Sequence, residues 1–163
     1  MVILEDTRNK PGKHLNINEY MIRNGIMVRR CALYVGDYII ANDGKVSIDT
    51  KQDVMELSMD VYADHKRFRN ECLRAQEAGI QLIVLTEEAL PDGRLDNWHP
   101  PARSGIKPAS LRNALITMQK KYGVKFRFCS KWETGELILR YLTGGNNESP
   151  NTQANQGEDM GRP

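Results

Sequence analysis

Two carboxylates and one amine, Asp37, Asp49 and Lys51, are the residues of this chain whose types and spacing best suit chemistry. Asp49 and Lys51 lie two apart in Val46-Ser47-Ile48-Asp49-Thr50-Lys51, a run that reads as a strand. Alternate strand residues share a face, so both side chains project together, about 7 Å apart. Gly36-Asp37-Tyr38 precedes Asn42-Asp43-Gly44, which suits a three-residue hairpin loop with Gly44 left-handed. Counting back from that loop opposes Ala41 to Lys45, Tyr38 to Ile48 and Asp37 to Asp49. Opposed side chains lie about 5 Å apart, and like charges there repel unless a cation sits between them. Mg²⁺ suits that place, because it takes hard oxygen ligands and often only one or two protein carboxylates.

The register matters. A two-residue Asp43-Gly44 loop would oppose Tyr38 to Asp49 and turn Asp37 to the other face, since a one-residue slip flips every side chain. The three-residue loop is preferred because it gathers Tyr38, Ile40, Val46 and Ile48 into one apolar stripe. By itself, Asp-x-Lys on a strand also describes an ordinary solvated hairpin.

The elements that must position these groups follow from length and pattern. With 163 residues, 40% hydrophobic and 27% charged, the chain suits one domain with a real core. A formal net charge of +2 does not announce a nucleic-acid binder, so any such contact must come from local basic clusters. Val2-Ile3-Leu4 is too short for a membrane span or a secretory signal, and no membrane partner is expected. Cys31, Cys72 and Cys129 are widely spaced and odd in number, which argues against a zinc site or a disulfide framework. A reducing cytoplasm fits best.

Strands are predicted over 1–5, 26–33, 35–41 and 45–50, the last three as a meander, and over 81–85 and 124–129. Helices are predicted over 16–24, 53–62, 64–78, 108–121 and 131–142, with Gly25 and Gly79 as stop signals. A long proline-bearing loop, 86–107, holds Trp98-His99-Pro100-Pro101. The fold class is therefore α/β, with a mixed central sheet flanked by helices over 1–143. Residues 144–163 are too polar to order themselves and are expected to be a disordered tail. On the 64–78 helix, Lys66, Arg67, Arg69 and Arg74 read either as a phosphate grip or as a solvated face. Trp98 either stacks on an exposed base or pins its loop to the body.

Taken in order, these pieces resemble the XPF-type excision-repair endonuclease domain, a branch of the PD-(D/E)xK nucleases of the restriction-endonuclease-like fold. The resemblance rests on Leu4-Glu5-Asp6-Thr7-Arg8, Leu33-Tyr34-Val35-Gly36-Asp37-Tyr38, Ser47-Ile48-Asp49-Thr50-Lys51, Arg67-Phe68-Arg69-Asn70-Glu71 and Leu82 to Glu88. It looks closest to small single-domain members of bacteria, phages and mobile elements.

The resemblance implies a metal-dependent DNA endonuclease that acts on branched or structured DNA in recombination, repair or replication. It implies Mg²⁺ or Mn²⁺ on Asp37, Asp49 and the Thr50 carbonyl. Lys51 would orient the attacking water, and Asp6 would serve as a further acid. Arg8 would grip a phosphate near the cleavage point. The helix cluster of Lys66, Arg67 and Arg74, read from its own charge pattern, would add DNA contacts if it is not a solvated face. A homodimer or a partner protein is also compatible with it. Asn9, where the family often has Glu, and Met55, where eukaryotic members have Asp, keep a second reading open: a non-catalytic DNA-binding or scaffold subunit.

Overall fold

Unbroken apolar runs and alternating ones divide the chain into the layers of a sandwich. In a computed structural model that describes residues 1–144, the strands are β1 (Val2–Asp6), β2 (Met27–Cys31), β3 (Tyr38–Ile40), β4 (Val46–Lys51), β5 (Gln81–Thr86) and β6 (Lys125–Phe128). The helices are α1 (Leu15–Arg23), α2 (Val54–Tyr62), α3 (His65–Glu77), α4 (Pro108–Tyr122) and α5 (Thr134–Leu142). The tail expected over 144–163 lies, apart from Gly144, outside the described residues. No helix among the described residues is long and apolar enough to cross a membrane.

The strands form one mixed sheet in the order β2-β1-β3-β4-β5-β6. This corrects the expected meander. β2 does not pair with β3; it lies parallel to β1 at the sheet edge, and β1 occupies the place beside β3. β4, β5 and β6 run parallel. Consequently β1, β4, β5 and β6 all end at the same edge, the edge where ligands gather in open α/β sheets. β5 is buried on both faces, as its apolar run requires.

One core lies under α2, α3 and α4, with Val84, Phe68, Leu111 and Phe126 among its members. The other lies under α1 and α5, built on Ile3, Tyr38, Ile48, Leu85 and Ile138. Strand alternation therefore sends Asp49 and Lys51 to the first face, beside Val84 and Phe68, and Thr50 to the second, beside Leu85. α5 starts three residues later than predicted, because Ser130–Glu133 is taken up by a turn in which Glu133 accepts from the Ser130 N–H and hydroxyl.

The β3–β4 hairpin has the register of the three-residue loop: Tyr38 opposes Ile48, and Ile39 opposes Ser47. The left-handed residue is Asn42, with φ 70°, and not Gly44. Asn tolerates that conformation because its short polar side chain bonds locally. Gly36 is left-handed too, with φ 71°, and a Cβ there would lie 2.3 Å from Ser47 Oγ and 2.9 Å from the Ile48 carbonyl oxygen.

Gly36→Ala is expected to cost at least about 2 kcal/mol, the strain of a left-handed alanine plus the clash. At Gly79, also left-handed with φ 67°, a Cβ meets nothing within 4 Å, so Gly79→Ala should cost less, about 1 kcal/mol. Equal losses in denaturant melts would contradict the argument from close approach.

Candidate active site

Gly36 decides where Asp37 goes. The Asp37 N–H bonds the Ile48 carbonyl at 2.7 Å, the same Ile48 that pairs with Tyr38, so two residues face one as in a β-bulge. Asp37 is thus carried just off the start of β3. Its carboxylate is not squarely opposite Asp49 as the sequence reading expected. It lies in the gap at the end of β4, where Oδ2 accepts from the Thr50 N–H at 2.8 Å and the Thr50 hydroxyl at 2.5 Å. Oδ1 accepts from the Asn9 amide at 2.8 Å. Burial pushes the Asp37 carboxyl up, but these donors outweigh it, and the net effect holds it below the usual carboxylate range.

Asp49 and Lys51 project to the α3 side, as their spacing requires. Lys51 Nζ is buried 2.7 Å from Asp49 Oδ2 and 2.7 Å from Asp60 Oδ2, above the ring of Phe68. Asp60, on α2, carries Arg67 on its other oxygen at 2.7 Å. Burial lowers the affinity of Lys51 for its proton, yet the two carboxylates prevail and the net direction is upward. Lys51 therefore stays charged. Asp49 fares differently. Burial, together with Asp37 and Glu71, outweighs the pull of Lys51 and pushes its carboxyl up to about 8. The Lys51 ammonium, at 2.7 Å, is the one positive group on its Oδ2, and no other donor reaches that oxygen among the described residues.

A buried, donor-poor carboxylate beside a second, firmly ionised one fits a cation. Backbone alternation also suits it: the Lys45 and Lys51 carbonyls face β5, so those of Ile48 and Thr50 face the Asp37 side. Among the described residues, no group of three or more His, Cys, Asp and Glu side chains is gathered for a metal. Two carboxylates and a carbonyl match a hard cation that keeps several waters, and not a closed protein cage.

The other residues named from sequence are placed as follows. Asp6 ends β1 and is buried, but its oxygens are taken by the Leu33 N–H at 3.2 Å and Arg8 Nε at 2.5 Å. Arg8 also donates to the Leu33 carbonyl, and 57% of its side chain remains exposed. Lys66 is exposed. Arg67 is committed to Asp60 and, at 3.7 Å, to Asp64, so its first task is to hold Asp60. Arg74 lies over the exposed ring of Tyr34. Trp98 is 5% exposed and donates to Glu88 at 2.8 Å, which makes it a pin for its loop and removes it as a stacking platform.

Sequence reasoning missed Asp60, nine residues past Lys51 and brought back by α2. It also missed His14. The Thr50 hydroxyl donates to Asp37, so its oxygen accepts from His14 Nε2 at 3.1 Å. His14 Nδ1 lies 3.4 Å from Glu5, which also holds Asn18. A buried polar chain, Glu5–His14–Thr50–Asp37, therefore backs the carboxylate from the α1 side.

The ERCC4 domain model matches residues 6–141 of the chain. No curated protein matches the sequence. Among solved structures, the chain is similar to XPF from Aeropyrum pernix, with a TM-score of 0.67, 17% identity and coverage of 91% of this chain and 63% of that one. It is also similar to the same organism's XPF in complex with DNA, with a TM-score of 0.65, 18% identity and coverage of 91% and 68%. The chain thus spans 63% of the length of the first of these structures and has its fold.

Without a cation, the folded state keeps a proton on Asp49 that an unfolded chain, with an ordinary pKa near 3.9, has released. The folded state then binds more protons, so this group makes stability fall as pH rises from about 4 to about 8. Urea midpoints in chelator should show a decline between pH 5 and 8 that is smaller in Asp49→Asn. Equal slopes would contradict the raised carboxyl.

Proposed function

The chain belongs to the ERCC4 domain family, and we propose that it is a metal-dependent DNA endonuclease, hydrolysing phosphodiester bonds in branched or structured DNA during recombination, repair or replication, in the cytoplasm. The observation that carries this reading is the surplus carboxylate. Asp49 is buried beside Asp37, Glu71 and Asp60, while the one ammonium among them, Lys51, is shared with Asp60. A site left with uncompensated negative charge at the carboxyl edge of a sheet is built to receive a cation.

Asp37, Asp49 and the Thr50 carbonyl would hold Mg²⁺ or Mn²⁺. Bound there, such an ion supplies a water of lowered pKa and a Lewis acid for a phosphoryl oxygen. The protein does the rest. Thr50 and Asn9 keep Asp37 ionised and aimed. Lys51, two residues from Asp49, offsets the negative charge that grows on the phosphate as water attacks. Asp60, with Arg67, fixes the ammonium in place. Arg8, braced by Asp6, offers a partly free guanidinium to a neighbouring phosphate. Lys66 and Arg74 extend that contact along α3.

A second reading is a non-catalytic DNA-binding or scaffold subunit. It is favoured by Lys51 lying between two carboxylates at 2.7 Å each, and by the neutral Asn9 on Asp37. The two readings part on cleavage. With Mg²⁺ and a panel of duplex, flap, fork and four-way DNA, wild type should nick at least one branched form, and EDTA should stop it. Asp49→Asn should lower the rate at least about a hundredfold, a loss of the size found for electrostatic groups at reacting centres. The half-saturating Mg²⁺ concentration should fall as pH rises from 6 to about 8, because binding displaces the Asp49 proton. Wild type and Asp49→Asn behaving alike on every substrate would sink the enzyme reading and leave the scaffold one.

A further inference from the structure

On the face opposite Lys51, α1 and the turn into α5 enclose a groove that no candidate DNA contact so far occupies. Two hollows follow each other along it. The inner one, of 190 Å³, is bounded by Lys13, His14 and Lys131. The outer one, of 200 Å³, is bounded by Tyr20, Arg23, Lys131 and Trp132. They share Asn16, Ile17 and Lys131 and so adjoin along one groove. Two buried side chains, His14 and Thr50, separate its inner end from Asp37, since His14 bonds Thr50 and Thr50 bonds Asp37.

Its outer end carries Trp132, which is 86% exposed. A tryptophan ring left so open at the lip of a hollow offers a free stacking face. The ring is not on a loose loop. Glu133 ties Ser130 by two hydrogen bonds, at 2.9 and 2.6 Å, and α5 is pressed onto α1 at Gly135, where a Cβ would come within 2.8 Å of Tyr20.

The charges fit an anionic chain. Lys131 is exposed and makes no ion pair among the described residues, and Lys13 holds only a long contact of 3.9 Å with Glu56. Arg23 is paired with Glu19, and Glu87 also borders the inner hollow, so the groove is modestly and not strongly basic. A stacking ring with a lightly basic track is the general equipment for unpaired nucleic acid.

We propose that this groove holds an unpaired DNA strand leaving the cutting centre, with a base stacked on Trp132 and phosphates on Lys131 and Lys13. The inference rests on the nuclease reading for where the strand comes from, but binding is measurable without cleavage. The test uses the full chain carrying Asp49→Asn, in EDTA, with a short oligothymidylate. Of the two tryptophans, Trp98 is buried, so a change in emission reports Trp132. Oligothymidylate should quench that emission. Measured by the anisotropy of a fluorescein-labelled oligothymidylate, since these variants lack the reporting ring, Trp132→Ala should weaken binding about tenfold, the scale of one lost stack, while Trp132→Phe keeps most of it. Lys131→Ala should flatten the salt dependence. Thermal midpoints of all variants should match the parent, since the ring is solvent-borne.

Unmoved emission, or undiminished affinity in Trp132→Ala, would overturn the proposal. So would a drop in sedimenting mass in Trp132→Ala, which would assign the ring to a second copy of the chain. Oligothymidylate binding through Trp132 in a protein that cleaves nothing would spare the groove and sink the nuclease reading. Cleavage indifferent to Trp132 would do the reverse.

Discussion

One ammonium between two carboxylates organises this molecule. Lys51 can be buried at the end of β4 only because Asp49 and Asp60 both lie 2.7 Å from it. Removing a charged partner from such a buried contact typically costs about 3–5 kcal/mol, and with Asp49 holding its proton in the cation-free state that partner is Asp60. The requirement reaches outward. α2 must cross the sheet at the position that delivers Asp60, and Arg67 on α3 must then balance Asp60. The same group of charges leaves Asp49 short of compensation. Stability and the proposed cation binding would then draw on one imbalance: enough positive charge to fold, too little to leave every carboxylate compensated.

The opposite face of the sheet contributes a different service. Thr50, one residue from both Asp49 and Lys51, turns its side chain the other way, and its N–H and hydroxyl both reach Asp37 in the gap at the end of β4. β4 therefore serves the site with both faces and its edge. The bulge at Gly36 and Asp37 makes this possible, since a regular ladder would aim Asp37 like Asp49 and separate it from Thr50. Behind Thr50, His14 and Glu5 fill the space with polar partners, and the ring of Tyr38 packs 5.4 Å from His14. Such a backed carboxylate has little freedom to swing, which is what a positioned ligand needs.

Much of this was legible in the chain. Asn42-Asp43-Gly44 and the apolar stripe of Tyr38, Ile40, Val46 and Ile48 were enough to give the hairpin register, because turn length and hydrophobic alternation are local constraints. Gly25, Gly79 and Pro108 marked helix ends by backbone sterics alone. The meander failed because pairing order is not local: nothing in β2 itself says that β1 will lie between it and β3. The direction of the Asp37 carboxylate depended on a bulge that alternation does not encode. Asp60 and His14 were invisible for the same reason, since each reaches the site by packing of α2 and of the segment before α1. Trp132 went unremarked because the 131–142 helix was read as starting before it, which hid an exposed ring inside an amphipathic pattern.

The proposed site requires a cation shared by Asp37 and Asp49, and anomalous diffraction from crystals grown with Mn²⁺ locates one directly. A single strong peak is expected within coordinating distance, about 2.0–2.3 Å, of both an Asp37 and an Asp49 oxygen, with water completing the shell. A peak on other residues, or none at saturating Mn²⁺ while Lys51 still neutralises Asp49, would contradict the shared site.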